Sequence, residues 1–163
     1  MSVYLNEPLY ESACGVKDDS SWDGSASYFP AVGYYAGKSI TPGQDSCAPD
    51  ITLKKNTLWM APEATTGGPG AAILAWTAPV SGPVTVSGSV QTVESGITGI
   101  TWQVDHNTTV LAGPTSMTTD TTDKVKPVKI TVTSGESIDL EIAHVNPDGY
   151  SDSAAVKMTV KEG

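Results

Sequence analysis

The chain has 163 residues, with 18 acids against nine lysines and no arginine, for a formal charge of −9. A face basic enough to neutralise phosphates is therefore excluded, and nucleic-acid binding with it. The length suits one domain that buries roughly two-thirds of its unfolded surface, and no apolar run reaches the ~20 residues of a membrane span.

The start, Met1-Ser2-Val3-Tyr4, reads as a native cytoplasmic start or as a methionine added to an excised domain. No charged stretch followed by an apolar run marks a signal peptide. Residues 1–50 are the least regular part of a single domain spanning 1–163, with the main strands in 51–163. Val3 and Leu5 suggest a short opening strand. The polar run Lys17-Asp18-Asp19-Ser20-Ser21 follows, then an aromatic-rich piece with Tyr28-Phe29-Pro30 and Gly33-Tyr34-Tyr35. Cys14 and Cys47 enclose this segment. If paired, they would add about 3–4 kcal/mol through loop closure; the alternative is two free thiols.

From residue 51 the strands are clearer. Ile51, Leu53 and Leu58-Trp59-Met60 form one or two strands with a bend at Asn56-Thr57. Ala61 to Gly70 is a Gly/Pro loop. Ala71 to Thr77 is apolar enough to be buried on both faces. Val84 to Val90 alternates, as does Ile100-Trp102-Val104, which ends at a tight turn, His106-Asn107-Thr108. Thr115 to Asp123 reads as an exposed loop. Val125 to Val132 alternates with lysines, and Pro127 demotes its first half to an edge or a bulge. Ile138-Leu140-Ile142 alternates with acids. The final strand sets Ala154, Val156, Met158 and Val160 against Lys157, Thr159 and Lys161. The period is 2 throughout, and turn clusters break it. The expected fold is all-β: a two-sheet antiparallel β-sandwich or jelly roll of about eight or nine strands.

No catalytic residue is expected. Gly-x-Ser-x-Gly is absent, and His106 and His144 lie in different hairpins. The aromatics carry more information, because ring faces stack on the C–H faces of sugars. Trp22, Tyr28, Tyr34, Tyr35 and Trp59 are the ligand-binding candidates. Trp76 and Trp102 share faces with apolar neighbours and read as core. Asn146, Asp148 and Asp152 cluster at a turn with the hard oxygens that a structural calcium would use; a solvated acidic loop reads the same way. No cofactor is required.

The run Trp59-Met60-Ala61-Pro62, then Ile73-Leu74-Ala75-Trp76-Thr77-Ala78-Pro79 through Val90, resembles the carbohydrate-binding-module-like β-sandwich of large secreted bacterial proteins. Val132-Thr133-Ser134-Gly135-Glu136-Ser137-Ile138-Asp139-Leu140 and Tyr150-Ser151-Asp152-Ser153 add to the likeness. It spans about residues 59–160, and Gly135-Glu136 stands where that pattern has Gly-Asp. The resemblance implies a non-catalytic module, outside the cell on a secreted protein, whose partner is a polysaccharide or cell-surface glycan. The alternative is a virion-surface protein, a head decoration or fibre subunit, that uses the sandwich to contact capsid proteins. Neither reading involves nucleic acid or a membrane. An acidic-glycan lyase would need a basic cleft, which the lack of arginine disfavours.

Overall fold

The structure is a computed structural model that describes residues 9–11, 19–23, 31–35, 54, 56–62, 70–93, 98–118, 121–145 and 152–163. Its strands are β1 (Leu9–Glu11), β2 (Asp19–Asp23), β3 (Ala31–Tyr35), β4 (Thr57–Ala61), β5 (Ala72–Thr77), β6 (Gly82–Thr92), β7 (Ile100–His106), β8 (Thr109–Met117), β9 (Thr122–Val132), β10 (Ser137–His144) and β11 (Ala154–Glu162). One sheet runs β4-β11-β6-β9 and is extended past β4 by β3, β2 and β1, making seven strands; the other runs β5-β10-β7-β8. Every pairing is antiparallel. The eight strands from β4 onward are thus two four-stranded layers, the expected sandwich. No helix occurs among the described residues, so none is long and apolar enough to cross a membrane.

Alternation builds the core. In the four-stranded sheet, Leu140 lies opposite both Leu74 and Val104, and Ile142 opposite both Ala72 and Trp102. In the facing sheet, Val32, Met60, Ala154 and Thr92 form one row across β3, β4, β11 and β6. All of these side chains are buried. Successive residues of a strand point to opposite faces, so a run of alternate Val, Ile and Leu delivers one continuous apolar layer. Trp102 is core as expected, and its indole N–H donates to Asp123 Oδ2 at 3.2 Å.

Several boundaries differ from the sequence reading. The β8–β9 connection is shorter than Thr115 to Asp123, because β8 runs to Met117 and β9 starts at Thr122. Threonine's β-branch favours strand, and cross-strand partners extended both elements into the polar stretch. Ile73 is 44% exposed, so β5 is not buried on both faces. It faces outward opposite Glu141. Pro127 sits where predicted. β9 is an edge strand, and the register shifts between Val86 and Gly88, opposite Val128 and Val125. The turn at Asn107-Thr108 is as tight as read, with Asn107 at φ 54°. Asn56, at φ 60°, makes the bend before β4; asparagine tolerates this region better than most residues. Val3, Leu5, Cys14 and Cys47 lie outside the described residues.

Candidate functional site

Trp59 sits in the middle of β4. Met60 beside it is fully buried, so Trp59 belongs to the outer face, where it is half-buried. Its cross-strand partners are Gly33 on β3 and Ala155 on β11. Gly33 contributes no side chain and Ala155 only a methyl, so neither neighbour on the sheet covers the indole. The same row continues through Gln91 on β6 to Thr122 on β9.

Beside this row β4 and β11 part company. They pair from Ala154 with Met60 to Val156 with Leu58, and no further. The fork leaves an open depression of about 530 Å³. Tyr34, Leu58, Val156 and Met158 supply apolar wall; Asn56, Thr57, Ser89, Gln91 and Lys157 supply polar groups. Tyr34 is 42% exposed, and its hydroxyl donates to Asn56 Oδ1 at 3.3 Å, which holds the ring at the rim. The side chains of Ser89, Gln91 and Lys157 have no hydrogen-bond partner among the described residues. No carboxylate among the described residues lines the depression. An apolar wall with unspent hydroxyl, amide and amine groups suits a neutral polar ligand with an apolar face.

The sequence candidates are distributed unevenly around it. Tyr34 lines the depression and Trp59 adjoins it through Ala155. Trp22 is placed by register alone, opposite Leu9 and Val32, and Tyr35 opposite Asp19 and Thr57. Their side chains, and all of Tyr28, lie outside the described residues. Sequence reasoning missed Asn56, Ser89, Gln91 and Lys157. Strand parity does put Ser89, Gln91 and Lys157 on an outer face, but nothing local says which strands neighbour Trp59.

Of the calcium candidates, Asn146 and Asp148 lie outside the described residues. Asp152 is buried, and its Oδ1 accepts from the amides of Thr98 (2.7 Å) and Gly99 (3.2 Å). Its Oδ2 accepts from Thr98 Oγ1 (2.6 Å) and meets His144 Nδ1 at 2.9 Å. Burial pushes this carboxyl up, but the bonds from His144, Thr98 and Gly99 outweigh it and hold the pKa below the usual carboxylate value. The carboxylate's four lone-pair sites are thus occupied within the protein, and it clamps the start of β7 to the end of β10. His144 Nε2 is buried without a partner. No hydroxyl or thiol among the described residues meets it. No group of three or more His, Cys, Asp or Glu among the described residues could hold a metal ion. His106 is part-buried against Glu136 at 2.9 Å. Bonds from the Thr133 amide and from His106 hold the Glu136 carboxyl low.

In layout the chain is a two-sheet antiparallel β-sandwich. Solved structures similar to it include a family 35 carbohydrate-binding module from Clostridium thermocellum, at 9% identity, TM-score 0.36, covering 96% of this chain and 98% of that one. Another is a CBM35 from Paenibacillus barcinonensis, at 14% identity, TM-score 0.33, covering 96% and 99%. A third is the Arthrobacter globiformis T6 isomalto-dextranase complexed with panose, at 11% identity, TM-score 0.35, covering 86% of this chain and 23% of that one. No family model matches the sequence, and no curated protein does. The fold reading rests on the two sheets themselves.

Proposed function

We infer that the protein is a non-catalytic glycan-binding module, working outside the cell as part of a secreted protein, that takes its ligand at the fork between β4 and β11 beside Trp59. The observation that carries this is the Trp59 row: a half-buried indole between Gly33 and Ala155, beside a depression with unspent polar groups. A pyranose presents C–H groups on one face and hydroxyls around its rim. The indole would receive the first, and Gln91, Ser89 and Lys157, on the same face of the sheet, would supply partners for the second.

Affinity electrophoresis in gels containing soluble polysaccharides tests the reading. Retardation by at least one polysaccharide is expected, and it should disappear in Trp59→Ala. Retardation that survives Trp59→Ala and Tyr34→Ala together would remove the proposed site. No retardation by any polysaccharide, together with a symmetric oligomer in light scattering, would move the reading to protein contacts.

A further inference from the structure

A second pocket lies far from Trp59, at the end of the sandwich where the β5–β6 connection passes from one sheet to the other. It encloses about 210 Å³. Trp76 and Val84 reach it from the two inner faces, Pro79 and Val80 from the connection, Pro83 from the start of β6, and Glu162 from the end of β11. Along β11, Glu162 is seven residues beyond Ala155, so the two sites stand roughly 23 Å apart at the rise of an extended strand.

The pocket is pre-formed. The amide of Ala78 donates to the Glu136 carbonyl at 2.8 Å, and the Gly135 amide returns a bond to the Ala78 carbonyl at 2.9 Å. The Ser134 amide donates to Ser81 Oγ at 2.9 Å, and Ser134 Oγ to the Pro79 carbonyl at 3.2 Å. At the other wall, the Gly163 amide donates to the Pro83 carbonyl at 2.9 Å. Two prolines with fixed φ stiffen what these five bonds hold. A ligand entering such a pocket orders little that is not already ordered.

Its chemistry is also specific. Trp76 packs partly against the core, and its indole N–H has no hydrogen-bond partner among the described residues. Val80 is 58% exposed at the rim. The polar groups beside these apolar walls are the Glu162 carboxylate, which is exposed, and the Ser81 hydroxyl. The volume falls short of the roughly 300–1,000 Å³ that takes a drug-sized molecule, so it suits one ring.

We propose that this pocket is a second carbohydrate subsite that takes a single pyranose, its C–H face on Trp76 and adjacent hydroxyls donating to Glu162. A lone indole with one acid is too open for a cation cage, which surrounds its ligand with several aromatic faces. The subsite stands apart from the Trp59 depression, although β6 and β11 reach both. With both occupied by one polysaccharide, the second contact becomes intramolecular and avidity rises without new contacts.

The test is an NMR titration of the whole ¹⁵N-labelled chain, following the four indole N–H signals assigned by Trp→Phe variants. The probes are the methyl glycosides of glucose, galactose, mannose and xylose, each to about 50 mM, enough to reveal a millimolar Kd. The Trp76 indole and Gly82 amide signals are expected to move saturably with at least one glycoside, and to do so equally in Trp59→Ala. The exposed changes Glu162→Gln and Val80→Asp, which leave the core intact, should weaken that response at least threefold. Trp76 signals that stay still with all four glycosides overturn the proposal, even if Trp59 signals move and the first site stands. So does a response unchanged by both variants, or one seen only with an oligoproline peptide or tetramethylammonium.

Discussion

The outer faces of the two sheets are built from opposite chemistry. On the four-stranded sheet Asp139 lies directly opposite Asp105, and Glu141 opposite Gln103. Gln103 Nε2 donates to both Asp105 Oδ2 and Glu141 Oε2 at 2.9 Å, and Ser137 Oγ donates to Asp139 Oδ2 at 3.0 Å. No lysine occurs on β5, β7, β8 or β10. On the seven-stranded sheet, β9 and β11 carry Lys124, Lys126, Lys129, Lys157 and Lys161 around the Trp59 row. One face spends its polar groups on each other. The other leaves Ser89, Gln91 and Lys157 without internal side-chain partners. A net charge of −9 does not reveal this placement: acids occur on both sheets, whereas every lysine on a described strand lies on the seven-stranded one.

The largest expected effect comes from the buried end of the acidic sheet. Asp152→Ala strips the partners from the Thr98 and Gly99 amides and from His144 at once. A loss of about 3–5 kcal/mol is expected from breaking a buried network of this kind, read by urea unfolding. The same carboxylate makes stability depend on pH. Its folded pKa lies below the unfolded value near 3.8. Its contribution is therefore complete above that value and is lost as pH falls through the folded pKa. Acid unfolding of Asp152→Asn should lack this part of the transition; an unchanged acid limb would show that other carboxylates carry it.

A comparable break on the other sheet is steric. Gly88 faces Met158 across β6 and β11, and a Cβ there would collide with the Lys157 carbonyl. That carbonyl belongs to the backbone of a central strand and cannot move without disturbing the ladder. Gly88→Ala should lower stability by about 2–4 kcal/mol, measurable as a drop in thermal midpoint. An alanine tolerated within ~0.5 kcal/mol would mean the strands can separate there at little cost.

Trp59→Ala should leave stability within about 1 kcal/mol, as its outer face is half exposed, yet weaken glycan binding at least tenfold through loss of the stacking surface. Calorimetry beside thermal unfolding separates the two. The smallest effect is expected at Asp105→Asn. It keeps an acceptor for Gln103 while relieving the like-charge pair with Asp139, for a gain of up to about 1 kcal/mol. A loss of stability instead would show that the charge-assisted bond from Gln103 outweighs the repulsion.

Much of this was legible in particular residues. Val84, Val86, Val90, Ile138, Leu140 and Ile142 announce inward rows by their spacing alone, and all are buried. Pro127 announces the bulge, and Asn107 the hairpin turn, because both are limits on local backbone angles. Tyr34 and Trp59 were legible as candidates by their ring chemistry. The depression was not, since it depends on β4 and β11 separating after Leu58 and Val156. Nor was the role of Asp152. The acidic turn pointed to calcium, whereas its oxygens are filled by Thr98 and Gly99, 54 and 53 residues away in sequence, and by His144.

What the sequence determined by itself was the all-β class and the facing of most strands from β4 onward. These follow from properties of neighbouring residues: side-chain alternation and turn chemistry. Only the tertiary structure decided that Gly33 and Ala155 flank Trp59, that the lysines gather on one sheet, and that Trp76 ends in a pocket with Glu162. Each of these joins strands far apart in the chain, and strand order and register are set by packing two whole sheets together, which no local pattern encodes.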